Sequence, residues 1–421
     1  MRTMLDRIFL RALHRTPSIV CALLSLLFIG LQTSARTVDP DLRNALAQRA
    51  AFGAEQIAAL ERGEPVGKLI PSNDPREVAV CGVMELPSDP ETALKAFELS
   101  MAQFKQKSIL QSGKFSNSPR VEDLASLTLT DGDIRDLKTC TVGDCKLKLS
   151  AAMIQRFQKR IDWNAIDYKE QVNQLFRVMM VEYVTAYLQK GDAALIEYAD
   201  QSVAVPLARE QESLLANLLY VNEAAPEFIR NLKASPQSSV PVEHSLSWAM
   251  IDFGLKPVLV ITDVATYKSE VNGIPRVLVL SKQIYAHHYF DASLSLTAVI
   301  GDHTRTTSHL LYVNHSRAGA LAGSLSKFKH RIVEGRATDD LNRLLRQTVL
   351  NVDVVLNNSS PPFQLTLTQR LSEWRALRVI FSLMLLLVIG IGLYFTFRRK
   401  APRSRRPASS RHSEKADFSV Y

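Results

Sequence analysis

Nineteen consecutive residues near the end of the chain, Val379 to Phe397, carry no formal charge. A run of that length crosses a bilayer core as one helix, and this limits what can be built on either side of it. Arg398, Arg399, Lys400, Arg403, Arg405 and Arg406 follow at once, a basic cluster of the kind kept on the cytoplasmic side. Trp374 before the run and Tyr394 within it suit the two interfacial belts. The pattern predicts a linker over 357–374, a transmembrane helix over 375–397 and a basic cytoplasmic tail over 398–421. Everything earlier becomes a body held at the outer face of the inner, cytoplasmic membrane by a single pass.

The amino terminus points the same way. Arg2, Arg7, Arg11 and Arg15 precede an apolar run from Ile19 to Leu31, and Thr33-Ser34-Ala35 offers a small-residue cleavage site. Residues 1–35 are therefore read as an export signal, or as a signal anchor if they are not cut. Cys21 follows Val20 inside the apolar run, where a lipoprotein signal would carry a small residue, so lipidation is rejected. The body, 36–356, is expected to be extracytoplasmic, in the periplasm or an equivalent space.

The net charge of +9 is a property of the two ends. Residues 1–35 carry +3 and residues 398–421 carry +6, which leaves the rest of the chain at zero. With no basic stripe to neutralise phosphates, nucleic acid is excluded as a partner. The charge serves orientation and anionic head groups instead. Three cysteines fall in the body. Cys140 and Cys145, in TCTVGDC, are expected to pair outside the cytoplasm because Gly143-Asp144 lets the chain turn back between them. A metal half-site is the competing reading, but no second Cys or His pair of matching spacing exists. Cys81, in a strand-like run, is read as a small buried hydrophobe.

Leu42, Leu46, Ala50, Gly53, Ile57 and Leu60 recur at helical steps and predict one helix of about six turns. Strands are expected at Val66 to Ile70 and at Glu77 to Leu86. Asp89 caps a helix that has Pro90 at its first position. Asp131, Asp133 and Asp136 resemble part of a calcium loop but lack its closing Glu, and are read as the start of a short helix. Residues 150–235 are helical in pattern. Ser150 caps one segment, and Asp167 with Glu170 opens a longer one whose stripe is Val172, Leu175, Phe176, Met179, Tyr183 and Tyr187, ended by Gly191. Two shorter helices are expected near 209–220 and 226–233.

After residue 240 the period changes to that of strands, with runs at Pro257 to Tyr267 and Pro275 to Leu280. The clearest alternation in the chain follows and predicts one strand from Ile284 to Ile300. Ile284, Ala286, His288, Phe290, Ala292, Leu294, Leu296 and Ala298 would share one face; Tyr285, His287, Tyr289, Asp291, Ser293, Ser295 and Thr297 would share the other. A turn at 301–307 leads into a partner strand, and a last helix is expected from about Asp339.

No esterase elbow, zincin, phosphate loop, dinucleotide or haem-attachment motif is present, and no cofactor is expected. The densest polar constellation is Tyr285, His287, His288, Tyr289 and Asp291. His288 stands among apolar neighbours, either as a neutral core histidine or as the contact for the polar end of an apolar ligand. The candidate ligand-binding residues are thus His288, Phe290, Tyr285, Tyr289 and Asp291. A zinc set of His287, His309 and Asp291 has no diagnostic spacing, so no metal is assigned. No catalytic residue is assigned either.

EVAVCGVMELPSDPETALKAF, and the late strands closed by an amphipathic helix, resemble START-like (helix-grip) domains. That resemblance implies a curved antiparallel sheet wrapped around a C-terminal helix, often enclosing an apolar cavity for a lipid. The segments TCTVGDCKLKLS and YAHHYFDASLSL also look similar to exported, membrane-anchored bacterial proteins, a likeness that implies no activity. The expected class is α+β: a curved antiparallel sheet, a C-terminal amphipathic helix, a large helical insertion at about 150–235 and one transmembrane helix. The expected work is binding an apolar or lipidic molecule, or an envelope protein, at the membrane. The alternatives are a membrane-tethered hydrolase or metal enzyme using 285–291, and an envelope assembly factor.

Overall fold

A computed structural model describes residues 38–106, 108–218, 225, 228–229, 242–303, 306–323 and 326–357. The chain divides into Met1–Ser359 and Ser360–Tyr421, and all described residues belong to the first unit. Among them no helix is long and apolar enough to cross a membrane. The expected export segment, span and tail lie outside the described residues, as does most of the helix expected at 226–233.

The architecture is mixed α and β around one large antiparallel sheet. Ten strands occur among the described residues: β1 (Val66–Ile70), β2 (Glu77–Leu86), β3 (Ile109–Lys114), β4 (Glu197–Tyr198), β5 (Val205–Pro206), β6 (Val242–Ile251), β7 (Val258–Val271), β8 (Ile274–Ala286), β9 (Ala292–Gly301) and β10 (Ser308–Arg317). Eight of them form the sheet, in the order β1-β2-β10-β9-β8-β7-β6-β3, and β4 pairs with β5 separately. Strands β6 to β10 are a meander of consecutive antiparallel neighbours, the outcome of short connections between alternating runs.

Among the described residues eight helices accompany the sheet: α1 (Pro40–Arg49), α2 (Ala54–Glu61), α3 (Pro90–Lys105), α4 (Asp131–Thr139), α5 (Ala151–Arg160), α6 (Tyr168–Lys190), α7 (Leu207–Ala216) and α8 (Ser326–Leu356). On one face of the sheet Val80, Met84, Leu86, Val299 and Leu310 pack against Phe97 of α3 and Leu341, Leu344 and Leu345 of α8. On the other, residues such as Cys81, Val83, Leu296 and Leu311 pack into a core shared with α1, α2, α5, α6 and α7. The sheet is thus a middle layer, apolar on both faces, which is why β2 and β9 are buried at nearly every position. A shallow groove of 390 Å3 opens beside α5, α6 and β4, away from α8, lined among others by Met153, Tyr183 and Ile196.

Four expectations change. The single amino-terminal helix is two, because Ala51 adopts a positive φ of 53° and Gly53 starts α2 afresh. The single strand from Ile284 to Ile300 is two antiparallel strands, because the chain turns at 287–291, where Tyr289 has a φ of 59°. Asp167 precedes α6 but makes no side-chain cap; its carboxylate accepts from Gln171 Nε2 instead. The last helix starts at Ser326, well before Asp339, since its first half carries little of the inward stripe: Phe328 and Val333 are exposed. The caps at Asp89 and Ser150, and the stop at Gly191 (φ 57°), are as the sequence predicts.

Gly67 and Gly82 face each other across β1 and β2, and α8 lies directly over them. A Cβ on Gly82 would sit 2.9 Å from Leu341 Cδ1 and 3.0 Å from Leu345 Cδ2. Gly82→Val is therefore expected to lower unfolding stability by about 1–3 kcal/mol through overpacking, read as a lower denaturant midpoint of the purified chain. An unchanged midpoint would mean that α8 is not seated on this strand pair.

Candidate functional site

The turn between β8 and β9 holds most of the residues singled out by sequence, and the structure sends them to different partners. Tyr285, the penultimate residue of β8, is fully buried. Its hydroxyl donates to the Lys148 carbonyl at 3.0 Å, and its ring packs among Phe176, Tyr183 and Tyr198. Burial pushes its phenol well above the ordinary range, as does the charge of Asp200 and Asp133. Tyr289 accepts from the Lys256 backbone N–H at 3.0 Å. Phe290 is half-buried and meets Phe253 edge to face, with centroids 5.6 Å apart.

His287 and His288 both turn toward α4. Thr130 caps that helix by accepting from the Asp133 N–H, and its hydroxyl donates to Asp133 Oδ2 at 2.7 Å. Asp133 is thereby aimed inward, fully buried. Its Oδ1 lies 2.8 Å from His288 Nε2, and its Oδ2 lies 3.6 Å from His287 Nε2. His288 Nδ1 faces the Lys146 carbonyl at 3.0 Å. Both nitrogens of His288 therefore meet oxygen acceptors, and the bond to Asp133 is closed by one shared proton. Burial raises the Asp133 carboxyl, but interactions with His287, His288 and Thr130 outweigh it and hold it well below the usual carboxylate range. Lys256 Nζ stands 3.8 Å from Asp133 Oδ1 and pairs with Asp136, which also accepts from Lys146.

Asp133, His287 and His288 bring three possible metal-ligand atoms within 4.8 Å of one another. Two of them fit a divalent ion. His288 has the outer hydrogen bond to a carbonyl that ligating histidines use, and Asp133 supplies a carboxylate. His287 does not fit: its Nδ1 accepts the Leu259 N–H at 2.8 Å, so the neutral ring carries its proton on Nε2 and has no lone pair to offer there. With the Lys256 ammonium alongside, the cluster is built for a proton rather than a metal ion. The zinc set of His287, His309 and Asp291 is not brought together. His309 sits beside Glu85, whereas Asp291 is bound at Arg317, eight residues or roughly 26 Å further along β10. The three Asp residues of the calcium-like segment separate as well, Asp131 going to Lys169.

Asp291 belongs to a second cluster that sequence reasoning missed. Lys148 Nζ donates to Asp291 Oδ1 at 2.8 Å, and both side chains are buried. Lys148 also lies 3.8 Å from Asp200 and 4.7 Å above the Tyr198 ring. Arg76 reaches Asp74, Glu210 and Asp291. Arg317 reaches Glu77, Glu210 and Asp74, and His315 Nδ1 bonds Glu77 at 2.8 Å. Burial raises Glu77, but His315 and Arg317 override it and lower its pKa. No local signal announces this network: Lys148 alternates with Leu147 and Leu149, both fully buried, a spacing that in an extended run points the lysine the other way, and its burial depends on the distant Asp291 and Asp200.

The Cys140–Cys145 disulfide forms, with Cα atoms 4.4 Å apart. Gly143 makes the turn at φ 86°, and its N–H donates to the Ala199 carbonyl. On the β6–β7 connection Phe253 and Leu255 are exposed, and the Phe253 ring meets Phe290. No protein-family model matches the chain, and no curated protein matches it.

Proposed function

We propose that the chain is a membrane-tethered, extracytoplasmic binding protein that engages an apolar group through the tip formed by Phe253, Leu255 and Phe290. The occupant is the apolar part of a lipid or of an envelope partner. The observation that carries this reading is the contrast between the tip and its base: Phe253 and Leu255 are exposed and Phe290 half-buried on two loops that are pinned from within by paired polar groups. Tyr289 anchors one loop to the other, Asp291 is held by Lys148 and His288 by Asp133. A rigid polar base under an exposed apolar end is suited to recognition, since little conformational freedom is lost on contact. The disulfide agrees with an oxidising compartment. The apolar segments at 19–31 and 379–397 supply the tether in this reading.

On the START-like reading the sheet would curve around its ligand. Here both sheet faces are occupied by helices, so the ligand is assigned to the tip rather than to the interior. Of the five residues proposed from sequence, Phe290 makes the contact, while Tyr285, His288, Tyr289 and Asp291 support it.

The test is native mass spectrometry of the full chain released from a mild detergent, beside Phe253→Ser/Leu255→Ser/Phe290→Ser. A mass that extracts into organic solvent and falls at least tenfold in the variant supports a lipidic occupant. A polypeptide mass that falls likewise supports an envelope partner. Equal retention of the bound mass by the folded variant would remove the tip from the function.

A further inference from the structure

We propose that His287 is an acid-sensitive latch: protonation of its Nδ1 releases the 287–291 turn from β7 and α4, and so moves the turn that carries Phe290. His287 is fully buried, and its backbone and ring both bind Leu259. Its N–H donates to the Leu259 carbonyl at 3.2 Å, and its Nδ1 accepts the Leu259 N–H at 2.8 Å. A ring nitrogen used as an acceptor for a backbone N–H cannot take a proton in place, because two donors would then face each other. Among the described residues its buried Nε2 has no hydrogen-bond partner, so the ring has little to lose on that side by leaving.

The groups facing His287 from every packed element are few. Asp133 of α4 lies 3.6 Å from Nε2, the His288 ring lies tilted beside it with centroids 4.1 Å apart, and Lys256 stands beyond Asp133 on the β6–β7 connection. Asp133 alone favours the charged ring, but its carboxylate is already taken by His288 and Thr130. Burial, His288 and Lys256 oppose the charge, and the imidazole is lowered to about 4.

The sign follows from linkage. The closed turn holds His287 neutral, whereas the released turn presents a free imidazole with the ordinary value near 6.5. Between those values only the released form binds the proton, so closure weakens as the pH falls. From pH 6.5 to 4.5 the equilibrium shifts toward release by about fortyfold. Neutral pH keeps the latch shut. The latch is independent of what the tip binds.

The experiment is amide hydrogen exchange of the full chain in detergent, corrected for intrinsic pH dependence. The expected result is about a fortyfold loss of protection at Leu259 and across 287–291 between pH 6.5 and 4.5, reversed on neutralisation, with Trp248 in β6 still protected. His287→Asn retains an oxygen that can accept the Leu259 N–H and does not titrate, and is expected to keep the turn closed at pH 4.5. If that variant does not fold, the wild-type comparison of turn with β6 decides. Protection of the turn that is unchanged at pH 4.5, or lost together with β6, would overturn the latch. So would a stoichiometric metal ion on the purified chain that locks the cluster at every pH.

Discussion

Lys148→Met is expected to lower the unfolding free energy by about 3–5 kcal/mol. The substitution keeps the length and apolar bulk of the side chain, so packing against Tyr198 and Leu147 is little changed. What it removes is a cation that is buried together with its partners. Asp291 would lose its 2.8 Å bond and Asp200 its nearest ammonium, leaving Arg76, 3.9 Å from Asp291, as the remaining counter-charge. A buried carboxylate without a partner must either stay charged in a poor solvent or take up a proton. Adding Asp291→Asn should restore part of the loss, which a double-mutant cycle on the denaturant midpoints measures. Additive effects of the two substitutions would mean that Lys148 and Asp291 are not coupled, and that the turn is not held by this pair.

Trp248→Ala is expected to cost about 3–5 kcal/mol, the range for removing a large aromatic from a packed interior. Trp248 is almost completely buried on β6, directly opposite Gly113 of the edge strand β3. A Cβ at Gly113 would lie 2.7 Å from the indole Nε1, so the glycine is what allows the ring to lie across its neighbour. The Nε1–H then reaches the Asp123 carbonyl at 2.9 Å and ties the short turn at Val121–Leu124 to the sheet. Asp123 in turn accepts from the backbone of Ser116 and Arg120. Truncation leaves a cavity and an unpaired carbonyl at once. Trp248→Phe, which fills most of the space but cannot donate, should lose less, the difference from Ala reporting the cavity. Equal losses for Phe and Ala would assign the effect to the hydrogen bond instead. Thermal or denaturant unfolding of the two variants reads both values.

Strand spacing, helix caps and the disulfide were legible because each depends on neighbours only a few residues away. Asp89 followed by Pro90, Ser150 before an apolar stripe, and a glycine between two cysteines carry their own geometry. The break at 287–291 was not legible. Its residues continue the alternation of the flanking strands, and only Tyr289 in a left-handed conformation reveals the turn. The site was half legible: the residues of 285–291 were picked out by their chemistry, but their partners were not.

Local order in this protein, from the apolar periods to the pairing of Cys140 with Cys145, was determined by the sequence alone. The tertiary structure decided which charges meet. Lys148 finds Asp291 143 residues away, Asp133 finds His288 155 residues away, and Glu77 finds Arg317 240 residues away. A charge has no period and no preferred spacing along the chain. Its partner is settled only when the burial of apolar faces has brought distant segments together, and the desolvated charges must then be paired.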